Sequence, residues 1–396
     1  MNTDVRSSDT QQPEDDTIKW LPLSAAIAAI TAVGIALGLG LPLLSIVLSN
    51  NGASATMVGL NSAMAGVASL AIAPFCTRIA QRYGVGDVML VATMIAAVSM
   101  LAFHATSQYW AWFLLRITFH GAITLLFILS EFWINAAAPP ARRGFILGIY
   151  ATILSLGFAV GPWLFSIMGS SGILPFLVGA LIIIVSAVPI FLARGQSPII
   201  SKAPSRSFAK FLFLVPTATA AVFVFGAVES GGFAMFPIFA IRLGYGEADG
   251  ALLLTMIGLG NMLLQIPIGL VSDRVSDRRT LLFLCAIIGL VGCALMPLVS
   301  ATWWLLAVVL FVWGAVVAGL YTVGLAHLGS RLRDADLASA NAAFVFCYAL
   351  GMLVGPQTIG AAMDVVGANG FPLALSVFFV FYVAVSIWRF VYRPAR

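Results

Sequence analysis

Charge is what this chain has least of. Only 9% of its 396 residues are Asp, Glu, Lys or Arg, while 61% are hydrophobic. Soluble domains are nearer a quarter charged, so the composition excludes a water-soluble globule and indicates a polytopic membrane protein. Cysteine is scarce as well. Cys76, Cys285, Cys293 and Cys347 lie in or beside apolar segments and form no CxxC pair, so free thiols are expected rather than a disulfide or metal framework. There is no G-x-x-x-x-G-K-[ST] loop, no nucleophile motif and no cluster of metal-ligating residues. Direct ATP drive is therefore not expected, and the expectation is a protein that is not an enzyme and carries neither cofactor nor metal. The acidic start, residues 1–19, lacks the basic n-region of a signal peptide; it reads as a disordered tail before a first span that acts as an uncleaved signal. The net charge of +5 would suit nucleic acid if it were clustered, but the basic residues are scattered over separate loops, and no nucleic-acid partner is expected.

What the chain does have is long apolar runs. They fall at 20–48, 54–77, 86–107, 109–138, 144–168 and 173–193, then at 211–242, 249–271, 280–300, 302–329, 337–363 and 370–391. Each is long enough to cross a bilayer as a helix, which takes about 20 residues. An all-α protein of twelve transmembrane helices is therefore expected, with short loops that make sequence neighbours antiparallel. The Lys and Arg residues are sorted to match. With the N-terminus inside, only Arg242 falls in an outer loop and only Arg116 inside a span; all others lie in inner loops or tails. That bias puts both termini in the cytoplasm and supports an even helix count in a bacterial inner membrane.

The longest inner segment, 194–210, is basic and rich in Pro and Ser. It reads as a cytoplasmic linker between two six-helix bundles, 20–193 and 211–392, with 393–396 as a second cytoplasmic tail. An internal repeat supports the division. Gly157, Gly161 and Pro162 of the fifth run recur as Gly351, Gly355 and Pro356 of the eleventh, and Pro74–Gly84 is a worn copy of the stretch beginning at Gly269. Repeat-built transporters place their substrate site between such halves.

Ionisable residues at membrane depth are costly unless they face a partner or a cavity, so each is a candidate site residue. Here they are Arg116, Glu131 and Glu229. At about 100° per residue, Arg116, His120, Glu131 and Asn135 share one helical face, read as a cavity face. Glu229 lies in the opposite half. A desolvated carboxyl can load and release a proton, so Glu229 and Glu131 are the expected proton-coupling pair; the alternative is a structural hydrogen bond to a neighbouring helix. Asn261, Gln265, Asn341 and Tyr348 are candidate substrate contacts, although membrane helices also use such side chains as interhelical glue.

Three motifs carry a family resemblance. Gly269, Asp273, Arg274, Arg278 and Arg279 match the inner-loop pattern G-x-L-a-D-R-x-G-R-R, with Ser276 and Asp277 at the positions of its Gly and a basic residue. Arg116 and Gly121 match a fourth-span Arg motif. Gly148, Gly157, Gly161 and Pro162 match the exporters' fifth-span motif, with Phe165 and Ser166 where its last glycines stand. On these residues the chain resembles the major facilitator superfamily over 20–392, and within it the bacterial YcaD-like group and the drug:proton antiporters.

The resemblance implies two rocking bundles around a central site, with Asp273, Arg274 and Arg278 latching the inner gate and no ATPase. Arg279 could instead serve topology alone. It also implies a small-molecule substrate exchanged for protons by a monomer in the lipid bilayer. The few fixed charges suit a lipophilic or weakly cationic organic compound, and export is the expected direction. The alternatives are a metabolite uniporter or importer of the same fold, and a receptor or assembly factor that has lost transport.

Overall fold

A computed structural model describes residues 20–139, 142–200, 212, 214–275, 277–331 and 334–392. The two tails, most of the linker, and the side chains of 143, 144 and 331–339 lie outside that description. The described residues form twelve long α-helices and no strand. These are α1 (Trp20–Asn50), α2 (Ala55–Tyr83), α3 (Val85–Ala105), α4 (Tyr109–Ala137), α5 (Arg143–Met168) and α6 (Leu174–Ala193), then α7 (Pro216–Arg242), α8 (Glu247–Arg274), α9 (Arg278–Val299), α10 (Trp303–Arg331), α11 (Asp334–Val366) and α12 (Gly370–Tyr392). Eleven stretches are long and apolar enough to cross a membrane, the last running from Ala340 through α11, a short 3₁₀ turn and α12 to Tyr392.

The helices outrun their apolar runs. The run ending at 77 continues helically to Tyr83, so Arg78 and Arg82 stand on the last turns of α2 and not in a loop. Arg274 and Arg389 likewise belong to the ends of α8 and α12. A helix that projects past the hydrocarbon keeps its internal hydrogen bonds, and its long basic side chains reach the headgroups. Exposed aromatics cluster at both ends of the bundle: Trp20, Tyr83, Trp388 and Tyr392 at the end where α1 begins and α12 finishes, Trp110 and Trp304 at the other. Exposed aliphatics such as Val98, Leu114 and Val308 lie between them. That order is what a bilayer's interfaces and core select.

α1 packs on α4, α5 and α6, and α7 on α10, α11 and α12 in the same manner. The repeated glycines sit at equivalent crossings. A Cβ on Gly157 or Gly161 would run into the backbone of α1 at Gly34 and Gly38, and one on Gly351 or Gly355 into the backbone of α7 from Phe223 to Ala227. Gly148 departs from the expectation for its motif: nothing stands within 4 Å of its notional Cβ, so it packs no helix here. Pro162 and Pro356 are buried in the two crossing helices. The four cysteines are free and buried.

The first six helices meet the last six mainly through α2–α11 and α5–α8, with α1–α7 between. The α2–α11 crossing is close from Ala55 against Gly360, through Gly59 against Pro356, to Gly66 against Leu353. The α5–α8 crossing is close at Phe158 against Gly258. Among the described residues, these close crossings lie at and inward from the end of the bundle away from Trp20 and Tyr392.

Candidate transport site

Glu229 lies midway along α7, and its Oε2 accepts a 2.7 Å hydrogen bond from the Tyr348 hydroxyl of α11. The tight glycine crossing of these two helices sets that distance. Tyr348 stacks on Phe225, with ring centroids 5.8 Å apart, and meets Tyr321 of α10 edge-on at 6.4 Å. A small cavity of about 10 Å³, room for one water, opens beside Glu229 among Phe225, Asn261, Trp313 and Val317. The Oδ1 of Asn261 is buried there without a hydrogen-bond partner. This corner is rich in acceptors and aromatic faces, an environment that suits a proton, an N–H donor or a cationic group.

Glu131 of α4 is solvent-exposed by area yet deep within the molecular envelope, so it lines a recess and not the outer surface. Tyr150 of α5 and Tyr321 both lie within electrostatic reach of it, and Tyr321 also senses Glu229. Tyr150 in turn exchanges a 2.9 Å hydrogen bond with Ser130. The structure thus gathers Glu131, Tyr150, Tyr321, Tyr348 and Glu229 along the inner walls of the two halves.

Arg116 and His120 do not join them. They share the face of α4 that carries Glu131, but further toward the opposite end, where α2 and α3 sheathe that face and bury both residues. Arg116 Nε donates to Asn61 Oδ1 at 3.0 Å, and His120 Nδ1 lies 3.2 Å from the Arg116 carbonyl. The single cavity face expected for the four residues is therefore split, because what covers a helix face changes along its length. Asn135 is half-buried and donates to the Glu131 carbonyl one turn back, a local bond within α4.

Gln265 bridges the halves: it accepts from Ser155 of α5 at 3.1 Å and donates to Thr322 of α10 at 3.1 Å. Asn341 is exposed, two turns along α11 from Tyr348.

At the α8–α9 turn, Asp273 is 72% exposed and pairs with Arg278 at 3.2 Å. The side chains around the start of α11, 331–339, lie outside the description, and with them the far side of the inner-gate latch implied for Asp273, Arg274 and Arg278. Arg274 is exposed. Arg279 is buried and clamps Asp277 through Nε and Nη2 at 2.9–3.1 Å, while Asp277 Oδ1 also caps α9 by accepting from the Arg279 backbone N–H at 3.0 Å. Burial alone would raise the Asp277 pKa, but these hydrogen bonds outweigh it and hold the carboxyl below its ordinary value. Arg279 thus organises the turn, a role the topology reading of its charge had not included.

The opposite end carries a latch that the motifs did not indicate. Asp364, at the end of α11, sits at the N-terminus of α2. It accepts from Ala55 N at 3.2 Å and from Thr56 N and Oγ1 at 2.7 Å each. Arg242 of α7 pairs with it at 2.9 Å and also bonds the Met363 carbonyl. Nearby, Glu247 of α8 accepts from Asn50 and Ser170 of the first half at 3.1 and 2.9 Å. A carboxylate against a helix N-terminus gains from both the free N–H groups and the dipole. The available signal was Arg242, the one basic residue assigned to an outer loop.

The Major Facilitator Superfamily profile matches residues 26–356 and again 246–396. The chain belongs to the major facilitator superfamily. Among curated superfamily members, the uncharacterised MFS-type transporter YfkF of Bacillus subtilis (strain 168) is 25% identical, over 91% of this chain and 92% of its own. The uncharacterised MFS-type transporter YcaD of Escherichia coli O17:K52:H18 is 21% identical, over 72% and 74%. The crystal structure of the nucleoside transporter NupG superposes with a TM-score of 0.73, at 14% identity and over 96% of this chain and all of that one. A bacterial homologue of the human lysosomal transporter Spinster, inward-facing and occupied, gives 0.67 at 14% identity, over 96% and 97%. At such identity the structures share the fold alone. As a superfamily member the chain is a multi-pass membrane transporter and not an enzyme.

Proposed function

We propose that this superfamily member is a proton-coupled exporter of a small lipophilic or weakly cationic organic compound. It sits as a monomer in the bacterial inner membrane with both termini in the cytoplasm. Residues 20–193 and 211–392 act as two six-helix bundles joined by the 194–210 linker, and they rock about the α2–α11 and α5–α8 crossings. Read this way, the structure is inward-facing: the Asp364 latch closes the periplasmic end and the recess at Glu131 opens to the cytoplasm.

One observation carries the reading: the hydrogen bond from Tyr348 to Glu229 at membrane depth, with the Tyr321 ring edge-on to Tyr348. A carboxyl held by a tyrosine of α11, the helix that crosses α2 of the other half, can exchange its proton when rocking displaces α11. Aromatic rings around it provide faces for an apolar or cationic ligand. Neutral Glu229 leaves the cavity free of charge; ionised Glu229 favours a cation. Substrate and proton thereby compete for one carboxylate, which is the logic of antiport.

The test is a thermal-shift ligand screen on purified protein at two pH values, wild type beside Glu229→Gln. Compounds that stabilise wild type in a pH-dependent way, and the variant without that dependence, support the reading. Stabilisation independent of pH in both leaves a uniporter and removes Glu229 as the coupling group.

A further inference from the structure

The guanidinium of Arg116 is 0% exposed, yet its Nη1 and Nη2 have no hydrogen-bond partner. Only Nε is used, by Asn61 Oδ1 at 3.0 Å. A buried cation normally has a carboxylate beside it, because removing an ion from water costs several kcal/mol that only a partner offsets. None is within reach. Among the described residues of α1–α6 the acids are Asp87 and Glu131. Glu131 stands fifteen residues along the same helix, about 22 Å away. Asp87 is in the first turn of α3, about 24 Å along that helix from Phe103, whose ring faces the Arg116 guanidinium. In the second half, Asp364, Asp273 and Asp277 pair with Arg242, Arg278 and Arg279, while Glu229 is bonded by Tyr348 and Glu247 by Asn50 and Ser170.

Three other unpartnered polar atoms at this depth of the first half share one property. They are Asn61 Nδ2, Ser62 Oγ and Ser45 Oγ of α1. All of them can donate a hydrogen bond, whereas the His120 Nδ1–H is taken by the Arg116 carbonyl and leaves Nε2 an acceptor. The Glu229 corner is the reverse, with a carboxylate and an unpartnered amide oxygen. A cluster of buried donors around a fixed positive charge is completed by an anion, through short charge-assisted hydrogen bonds. A cavity of about 230 Å³ lies at the end of the bundle away from Trp20 and Tyr392, lined by Asn51, His104, Ser170 and the Phe103–Trp112 ring pair. Phe103 therefore has the cavity on one side and the Arg116 guanidinium 5.9 Å from its ring centre.

We infer that Arg116, with Asn61, forms a binding site for a small monovalent anionic group in the first half of the transporter, separate from the Glu229 corner. The same donors would hold a free inorganic anion or the carboxylate of a transported solute. The geometry favours a single, compact charge: there is one guanidinium, and neutral donors supply the rest.

The experiment uses the full chain purified in detergent, with bulky gluconate as the background anion at constant ionic strength. Chloride, nitrate or acetate is titrated in while Tm is followed by tryptophan fluorescence. The expected result is a saturable rise in Tm of about 3 °C in wild type, absent in Arg116→Gln. A response to chloride or nitrate identifies an inorganic anion, and a response to acetate alone identifies a carboxylate. Should Arg116→Gln fail to fold, Asn61→Ala keeps the charge but loses one donor. It should raise the half-saturating concentration about tenfold, as loss of one charge-assisted hydrogen bond does. No anion-dependent rise in wild type, or the same rise in a folded Arg116→Gln, would overturn the proposal, as would an unchanged half-saturation in Asn61→Ala.

Discussion

The Tyr348 hydroxyl donates to Glu229 across the α7–α11 crossing, at 2.7 Å. Both residues sit beside the glycines that bring these helices together: a Cβ on Gly226 would meet the Tyr348 backbone, and one on Gly351 the backbone of α7. Any sliding of α11 past α7 must therefore lengthen or break this bond. Tyr348→Phe keeps the ring stack on Phe225 and removes only the hydroxyl. Losing a hydrogen bond to a charged group costs about 1.5–3 kcal/mol. Ligand-linked pH dependence in the thermal-shift assay should then move by about one pH unit or more, while the Tm without ligand stays within a few degrees of wild type.

The Asp364 latch is expected to set the resting conformation. Asp364→Asn removes the charge that faces Arg242 and the start of α2, and each charge-assisted bond it weakens is worth roughly 1.5–3 kcal/mol. The population open at that end should rise about tenfold or more. Spin labels at Ala53 and Ala368 would read this as a longer distance component that wild type lacks.

Asp277 gives a pH dependence of definite sign. Its carboxyl is held below the ordinary range because the Arg279 hydrogen bonds outweigh burial. A depressed carboxyl contributes stability above the unfolded-state pKa and loses it as pH falls through the folded value. Asp277→Asn should therefore lower stability at pH 7 by about 1 kcal/mol, and the difference from wild type should shrink as pH falls below the ordinary aspartate range. A Tm series taken downward from pH 7 checks it.

Glycines of the exporter motif should divide by position. Gly161→Leu cannot be accommodated against Gly38 of α1, and loss of folded protein is expected. Gly148→Ala meets nothing within 4 Å and should change stability by less than about 1 kcal/mol. Yield of monodisperse protein in detergent separates the two.

Much of the fold was legible because it rests on local signals. Hydropathy places the helices, and the 194-residue offset of Gly157 and Gly161 to Gly351 and Gly355 anticipates two equivalent crossings. Asp364 was not legible: its partners at Ala55 and Thr56 lie more than 300 residues away, and no local pattern marks an acid for a distant helix N-terminus. The split between Arg116 and Glu131 escaped for a related reason. Helical periodicity says which residues share a face but not which neighbours cover it. Glu229 stood out as an acid in an apolar run, whereas its pairing with Tyr348 depended on how two helices cross.

The most direct measurement follows proton movement in proteoliposomes with an imposed pH gradient and an entrapped pH dye, on addition of a compound found in the ligand screen. Wild type should dissipate the gradient when the compound is added, and Glu229→Gln, reconstituted to the same density and still binding the compound, should not. Compound flux in wild type without proton movement, or equal proton movement in Glu229→Gln, would contradict proton-coupled transport through Glu229.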